Sequence, residues 1–187
     1  MKNILVLGAT GKCGKKIIEK LLNIEEYNVT AFSLTCSKTF ENTDNLFVFD
    51  ANAMNTMYLN AAIKNQDVII CSLKTKDIFL ITEKLINLVN PNQRLIFLAS
   101  TNNVSDKKYL QEEKRAISLL ELSSLNYTII RTSDIIDGSV DNCNIFYNCE
   151  DVDMNLTNMA SVLKVVDDII SDSNKFLKND ITLVRKV

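Results

Sequence analysis

Gly8-Ala9-Thr10-Gly11-Lys12-Cys13-Gly14 is the stretch that decides the fold of this chain. The whole chain holds four glycines, and three of them stand at three-residue intervals in this one window. An apolar run, Asn3-Ile4-Leu5-Val6-Leu7, leads into it, and a stripe of Ile17, Ile18, Leu21 and Leu22 follows it. Strand, glycine turn and amphipathic helix in that order are what a dinucleotide-binding turn requires. The first glycine permits a tight exit from the strand. The second leaves the backbone bare, so that a pyrophosphate can approach, and the third lets the helix pack closely on the sheet. The helix start then offers free N–H groups and a partial positive charge to phosphates. A ligand-free strand–helix turn is the bland alternative; it does not account for the concentration of glycine here.

Outward from this turn, apolar runs of about five residues recur at 3–7, 28–33, 45–49, 67–71, 94–99 and 127–131. They are rich in Val, Ile, Leu and Phe, as strands buried on both faces are. Helix-length amphipathic segments lie between them at 12–23, 53–64, 77–90 and 108–123. This alternation predicts an α/β fold: one Rossmann-type domain over residues 1–187, with a parallel doubly wound sheet and helices on both faces. The expected strand order is 3-2-1-4-5-6, with the ligand at the switch point beside the first strand. Residues 35–44 lack periodicity and predict a loop with a turn of helix. Beyond Arg131 the pattern loosens into a short strand at 144–148, a helix at 158–170 and a final strand at 181–185. The part from about residue 132 is expected to supply the substrate side.

Composition removes several classes of function. Formal net charge is -2, so no basic footprint for nucleic acid is present. There is no histidine, which excludes Ser-His-Asp and Cys-His nucleophile systems and the His-containing zinc sites. Cys13, Cys36, Cys71, Cys143 and Cys149 are odd in number and none has CxxC spacing, which predicts reduced thiols, a cytoplasmic location and no metal. The first apolar run is too short for a signal peptide or a membrane span. The expected partner is a small-molecule substrate, without nucleic acid or membrane, for a monomer or weak homodimer.

The second strand ends in Ser33-Leu34-Thr35-Cys36, with no acid to hold the ribose hydroxyls of NAD. Lys12, Ser33, Ser37 and Lys38 are the residues available to surround a 2′-phosphate. NADP(H) is therefore expected over NAD(H).

With these residues placed, the chain resembles the atypical short-chain dehydrogenase/reductases. Within them it is similar to the NmrA-like and NAD(P)H-binding proteins, which include flavin and biliverdin reductases. The resemblance rests on LGATGKCG at 7–14, Asp50 after the third strand, CSL at 71–73, LAST at 98–101, and the segment 112–138. It implies a cofactor held by Gly8, Thr10, Gly11, Lys12, Cys13 and Gly14 of the turn. It implies Asp50 at the adenine, Cys71, Ser72 and Leu73 at the ribose, and Ser100 on the nicotinamide side. There are departures. The larger family uses a Tyr with a Lys four residues later, about 40° apart around a helix. Here Leu110 stands four before Lys114, and Tyr109 is five before it, about 140° around. Leu34 replaces an Arg common in NADP-binding relatives, and Thr132 replaces a Pro.

Hydride transfer to a conjugated acceptor needs little acid help, because the cofactor carries the chemistry. The resemblance therefore implies an NAD(P)H-dependent reductase of a flavin, quinone or similar acceptor. Ser100 and Lys114 are its candidate catalytic residues, both also binding the cofactor with Lys114 at the nicotinamide ribose, and Thr101, Thr132 and Ser133 its candidate substrate contacts, with Asp134 beside them. Lys114 reads equally as a salt-bridged surface lysine among Glu112, Glu113 and Arg115, and Ser100 and Thr101 as caps of the turn after the fifth strand. The alternative function is a non-catalytic NmrA-like redox sensor acting through a protein partner.

Overall fold

Alternation along the first strand, β1 (Lys2–Leu7), feeds two cores, one on each face of a sheet. Ile4 and Val6 pack with Ile17, Ile18 and Leu21 of α1 (Lys12–Leu21) and with Val162, Val165 and Ile169 of α5 (Met159–Ser171). Leu5 and Leu7 point the other way. They pack with Leu59 of α2 (Thr56–Ile63), Ile81 and Leu85 of α3 (Ile78–Leu88), and Ile117 and Leu120 of α4 (Lys107–Glu121). Each fully buried Leu or Ile contributes roughly 1.5–3 kcal/mol over its exposed form, so the two-faced strand pattern commits the chain to covering both faces. The computed structural model describes residues 1–100, 105–138, 143–148 and 156–185.

The other strands of the main sheet are β2 (Tyr27–Ser33), β3 (Leu46–Asp50), β4 (Val68–Cys71), β5 (Arg94–Ser100), β6 (Asn126–Thr132), β8 (Cys143–Tyr147) and β10 (Asn179–Arg185). Their order is β3-β2-β1-β4-β5-β6-β10-β8. The expected 3-2-1-4-5-6 arrangement is present, continued by β10 parallel to β6. The sheet is not wholly parallel, however: β8 runs antiparallel to β10 at the edge. β8 is half-buried to exposed along its length, which an antiparallel edge strand tolerates. A separate two-strand ladder joins β7 (Ile135–Ile136) to β9 (Thr157–Asn158). The loop between β2 and β3 contains one 3-10 turn, Cys36–Lys38.

One buried ion pair fastens β6 to β10. Arg131 Nε donates to both Asp180 carboxylate oxygens at 2.9 and 2.8 Å, and Nη2 donates to Oδ2 at 2.6 Å. Among the described residues no helix is long and apolar enough to cross a membrane, and no group of three or more His, Cys, Asp or Glu is placed to hold a metal.

Candidate dinucleotide site

The three glycines of the turn do three different things. Gly8 sits at φ +83°, which side-chain-bearing residues rarely adopt, and its N–H donates to Phe32 O at 2.9 Å. A Cβ on Gly14 would lie 2.3 Å from Gly8 O, so this glycine sets how closely α1 meets the strand exit. Gly11 has ordinary extended angles, φ -70° and ψ 164°. A Cβ there would meet only Gly8 O, at 3.3 Å, with otherwise open space around it. No side chain caps the N-terminus of α1, whereas Asn55 caps α2 and Asp106 caps α4. The first N–H groups of α1 and the bare Gly11 backbone together form a cradle that fits a diphosphate.

This cradle opens into a cavity of about 840 Å³. The size lies in the usual range for small-ligand sites, about 300–1,000 Å³. Its walls are Gly8 and residues 10–13 of the turn, 32–35 at the end of β2, 51–54 after β3, 72–75 after β4, Asp77 and Ile81 at α3, and 133–135 after β6. Most of these follow the carboxyl ends of strands on the side of the sheet where the order reverses between β1 and β4, where such sheets bind ligands. Ser72 Oγ donates to Leu7 O at 2.9 Å, holding the segment after β4 against the turn. Thr10 Oγ1 donates to Ser33 Oγ at 3.1 Å, tying the turn to the end of β2. Across the cavity, Lys12 Nζ donates to Ile135 O at 2.6 Å. Burial raises the pKa of the Cys13 thiol and outweighs the attraction of Lys74 and Lys12, so Cys13 lines the wall as a neutral thiol.

Of the residues singled out from the sequence, Gly8, Thr10, Gly11, Lys12, Cys13, Ser33, Ser72, Leu73 and Ser133 face this cavity. Gly14 lies behind it. The Cys71 side chain is fully buried in β4, and its thiol is pushed up to about 12 by that burial. The proposed 2′-phosphate cluster is not assembled: Lys12 reaches toward Ile135, Lys38 is exposed outside the lining, and Ser37 is bound by Asp50. Asp50 accepts the Ser37 N–H at 2.9 Å and the Ser37 hydroxyl, and these bonds hold its carboxyl below the usual range. Its carboxylate therefore braces the 3-10 turn, while the neighbouring residues 51–54 line the cavity. Lys114 is exposed and outside the lining. Thr132 is buried, with Oγ1 donating to Ala99 O at 3.4 Å. Thr101 lies outside the described residues.

Behind the cavity stands a buried group that the sequence reading passed over. Tyr109 donates its hydroxyl to Glu113 Oε1, and Ser100 donates its N–H to Glu113 Oε2 at 3.0 Å. Glu113 is 1% exposed, and the buried Ser100 hydroxyl lies close enough to the Tyr109 phenol to act on it. Tyr109 and Glu113 share the buried face of α4 with Ala116, Ile117 and Leu120, while Lys114 looks outward. In the sequence Glu113 stands within the charged run Glu112-Glu113-Lys114-Arg115. Its i+4 relation to Tyr109 and its i,i+3 and i,i+4 relations to Ala116 and Ile117 were the available signal.

Two outcomes follow from this group. Tyr109→Phe leaves Glu113 Oε1 without its donor and should destabilise the protein by about 1–3 kcal/mol in denaturant titrations. No loss would mean that the bond contributes nothing. The second concerns pH. Burial raises the Glu113 pKa, outweighing the opposing effects of Tyr109, Ser100, Lys74 and Arg131. A carboxyl raised on folding adds stability below its unfolded pKa and loses it as pH rises through the folded value. Wild type should therefore lose stability relative to Glu113→Gln as pH climbs through that window, with a flat difference on either side. A difference of the opposite sign would contradict the burial argument.

The family profile described as NAD(P)H-binding matches residues 8–173, most of the chain. No curated protein matches significantly. Among solved structures, a Rossmann-fold NAD(P)-binding family protein from Shigella flexneri is 25% identical, with TM-score 0.87 over 99% of this chain and 94% of that one. A short-chain dehydrogenase/reductase from Veillonella parvula, in complex with NADP, is 20% identical, with TM-score 0.85 over 98% of this chain and 94% of that one. An anaerobillin reductase from Escherichia coli O157:H7 is also 20% identical, with TM-score 0.82 over 98% and 97% of the two chains. The likenesses to these last two are likenesses of fold. With the profile spanning glycine turn, cavity walls and α5, this chain belongs to the NAD(P)H-binding family.

Proposed function

We propose that this protein is an NAD(P)H-dependent oxidoreductase that reduces a small conjugated acceptor, such as a flavin or quinone, by hydride transfer. The observation that carries the reading is the composition of the cavity wall. It holds a diphosphate cradle at one side, and no tyrosine lines it among the described residues. Tyr109 is buried against Glu113 instead. Conjugated acceptors suit such a wall, since their reduction asks little general acid catalysis of the protein. When bound, the nicotinamide would supply the hydride. The chain's own part is to hold the diphosphate at Gly11 and the start of α1, to order the wall through Ser72 and Thr10, and to keep water out with Phe32, Leu73 and Ile81.

NADP(H) is the preferred form in this reading. The adenosine end of the wall, residues 32–35 and 51–54, contains no carboxylate to bind ribose hydroxyls or to repel a 2′-phosphate. Lys38 lies outside that wall, in the turn after β2, and its charge would act on a 2′-phosphate through space, as it does on Asp50. Lys38→Ala should weaken NADP(H) and spare NAD(H) in calorimetric titration. Equal affinities for both cofactors before and after the change would remove the preference.

The protein acts in the cytoplasm on a small molecule, as a monomer or weak homodimer. The deciding experiment is NADPH and NADH oxidation with flavins, quinones and biliverdin as acceptors. Turnover with at least one is the expected result. Tight cofactor binding without turnover on any of them would instead support a redox sensor, whose partner affinity must then differ between oxidised and reduced cofactor.

A further inference from the structure

Lys74 stands in the cavity wall just after β4, two residues beyond Ser72. It is exposed and belongs to no ion pair among the described residues. The contrast with its neighbours is informative. Lys76 turns away to Asp106 at 3.8 Å, and Lys12, the other cavity lysine, is held by Ile135 O. The Lys74 charge acts on Cys13, on the glycine turn, and on Glu113, beneath Ser100 on α4. Lys74 thus shares one cavity wall with residues 10–13 of the diphosphate cradle. Asp77 and Asp134 also line the cavity, yet neither pairs with it. A lone ammonium facing a concave, partly apolar wall is less screened than one on open surface.

We propose that Lys74 is the anion-binding residue of this cavity, receiving a phosphate or carboxylate oxygen of a bound ligand in addition to what the start of α1 provides. The inference deepens the reductase reading and rests on it for the identity of the ligands. The anion has two possible sources, the diphosphate of the cofactor or an acidic group on the acceptor. FMN and riboflavin separate them, because they share one ring system and differ by a phosphate.

The test is binding, by calorimetry and flavin fluorescence, of NADPH to the free protein and of FMN and riboflavin to its NADP⁺-loaded form. Wild type, Lys74→Gln and Lys74→Arg are compared. A charge-assisted contact predicts about a tenfold loss for the anionic probe in Lys74→Gln, recovery in Lys74→Arg, and riboflavin within twofold throughout. The wild-type advantage should shrink as salt is raised. A loss confined to FMN assigns the anion to the acceptor, and a loss for NADPH assigns it to the cofactor. The proposal is overturned if Lys74→Gln binds every anionic probe as wild type does, if FMN and riboflavin weaken equally, or if wild type binds none of the probes. Since these readouts need no turnover, a protein that binds both ligands yet transfers no hydride would refute the reductase reading alone.

Discussion

Gly11→Val should abolish the rise in melting temperature that NADPH gives the wild-type protein, while the free variant melts within a few degrees of wild type. A ligand that binds only the folded state stabilises it by mass action, about 2.7 kcal/mol at a hundred times its Kd. In a domain of this size that corresponds to roughly 5–10 °C. Valine at position 11 keeps a backbone conformation that β-branched residues favour, since φ is -70° and ψ 164°. Its side chain enters the space beside Gly8 O that the bare backbone leaves open. The fold tolerates it and the diphosphate does not. Gly14→Ala should give the opposite pattern. Its Cβ would meet Gly8 O at 2.3 Å and Ala9 Cα at 3.0 Å, both backbone atoms. Overpacking of that kind costs about 1–3 kcal/mol or more, so the free protein should melt distinctly lower. A full NADPH-induced shift in Gly11→Val would sink the assignment of the turn.

The contrast between these glycines also shows what the sequence can convey. The turn was legible because its chemistry is local: three glycines, one strand exit and one helix start within seven residues. The first six strands were legible because burial on both faces leaves continuous apolar runs such as Ile4-Leu5-Val6-Leu7. The direction of β8 was not, because a half-exposed edge strand reads the same whichever way it runs. Long side chains were a second blind spot. Lys12 and Lys38 are both close in sequence to elements around the cofactor end. Nothing local dictated that Lys12 would reach Ile135, which is 123 residues away. Asp50 shows the same limit: it was located correctly at the end of β3, but its engagement with Ser37 depends on how the 36–38 turn folds back. Glu113 was hidden by its charged neighbours, although the buried face of α4 includes it.

Asp180→Ala should destabilise the protein by about 3–5 kcal/mol, lowering the melting temperature by roughly 6–20 °C. The carboxylate accepts three hydrogen bonds from Arg131, and the two side chains are 6% and 4% exposed. Taking the carboxylate away removes three hydrogen bonds from a guanidinium that is 4% exposed. The desolvation of that buried charge then goes largely uncompensated on this side, which makes the cost large. The argument can be checked against itself. If uncompensated burial is the cause, replacing both partners by apolar residues, as in Arg131→Met with Asp180→Leu, should recover most of the lost stability. If the pair mattered for its attraction alone, the double variant would be no better than the single one. Placement gives the experiment a second readout. β6 leads into Ser133 and Ile135 of the cavity wall, and β10 is its neighbour on the side away from β5. The double variant, once stable, should bind NADPH with wild-type affinity, because the ion pair holds strands together and contributes no group to the cavity. A lasting loss of cofactor affinity in that variant would show instead that the pair sets the position of residues 133–135.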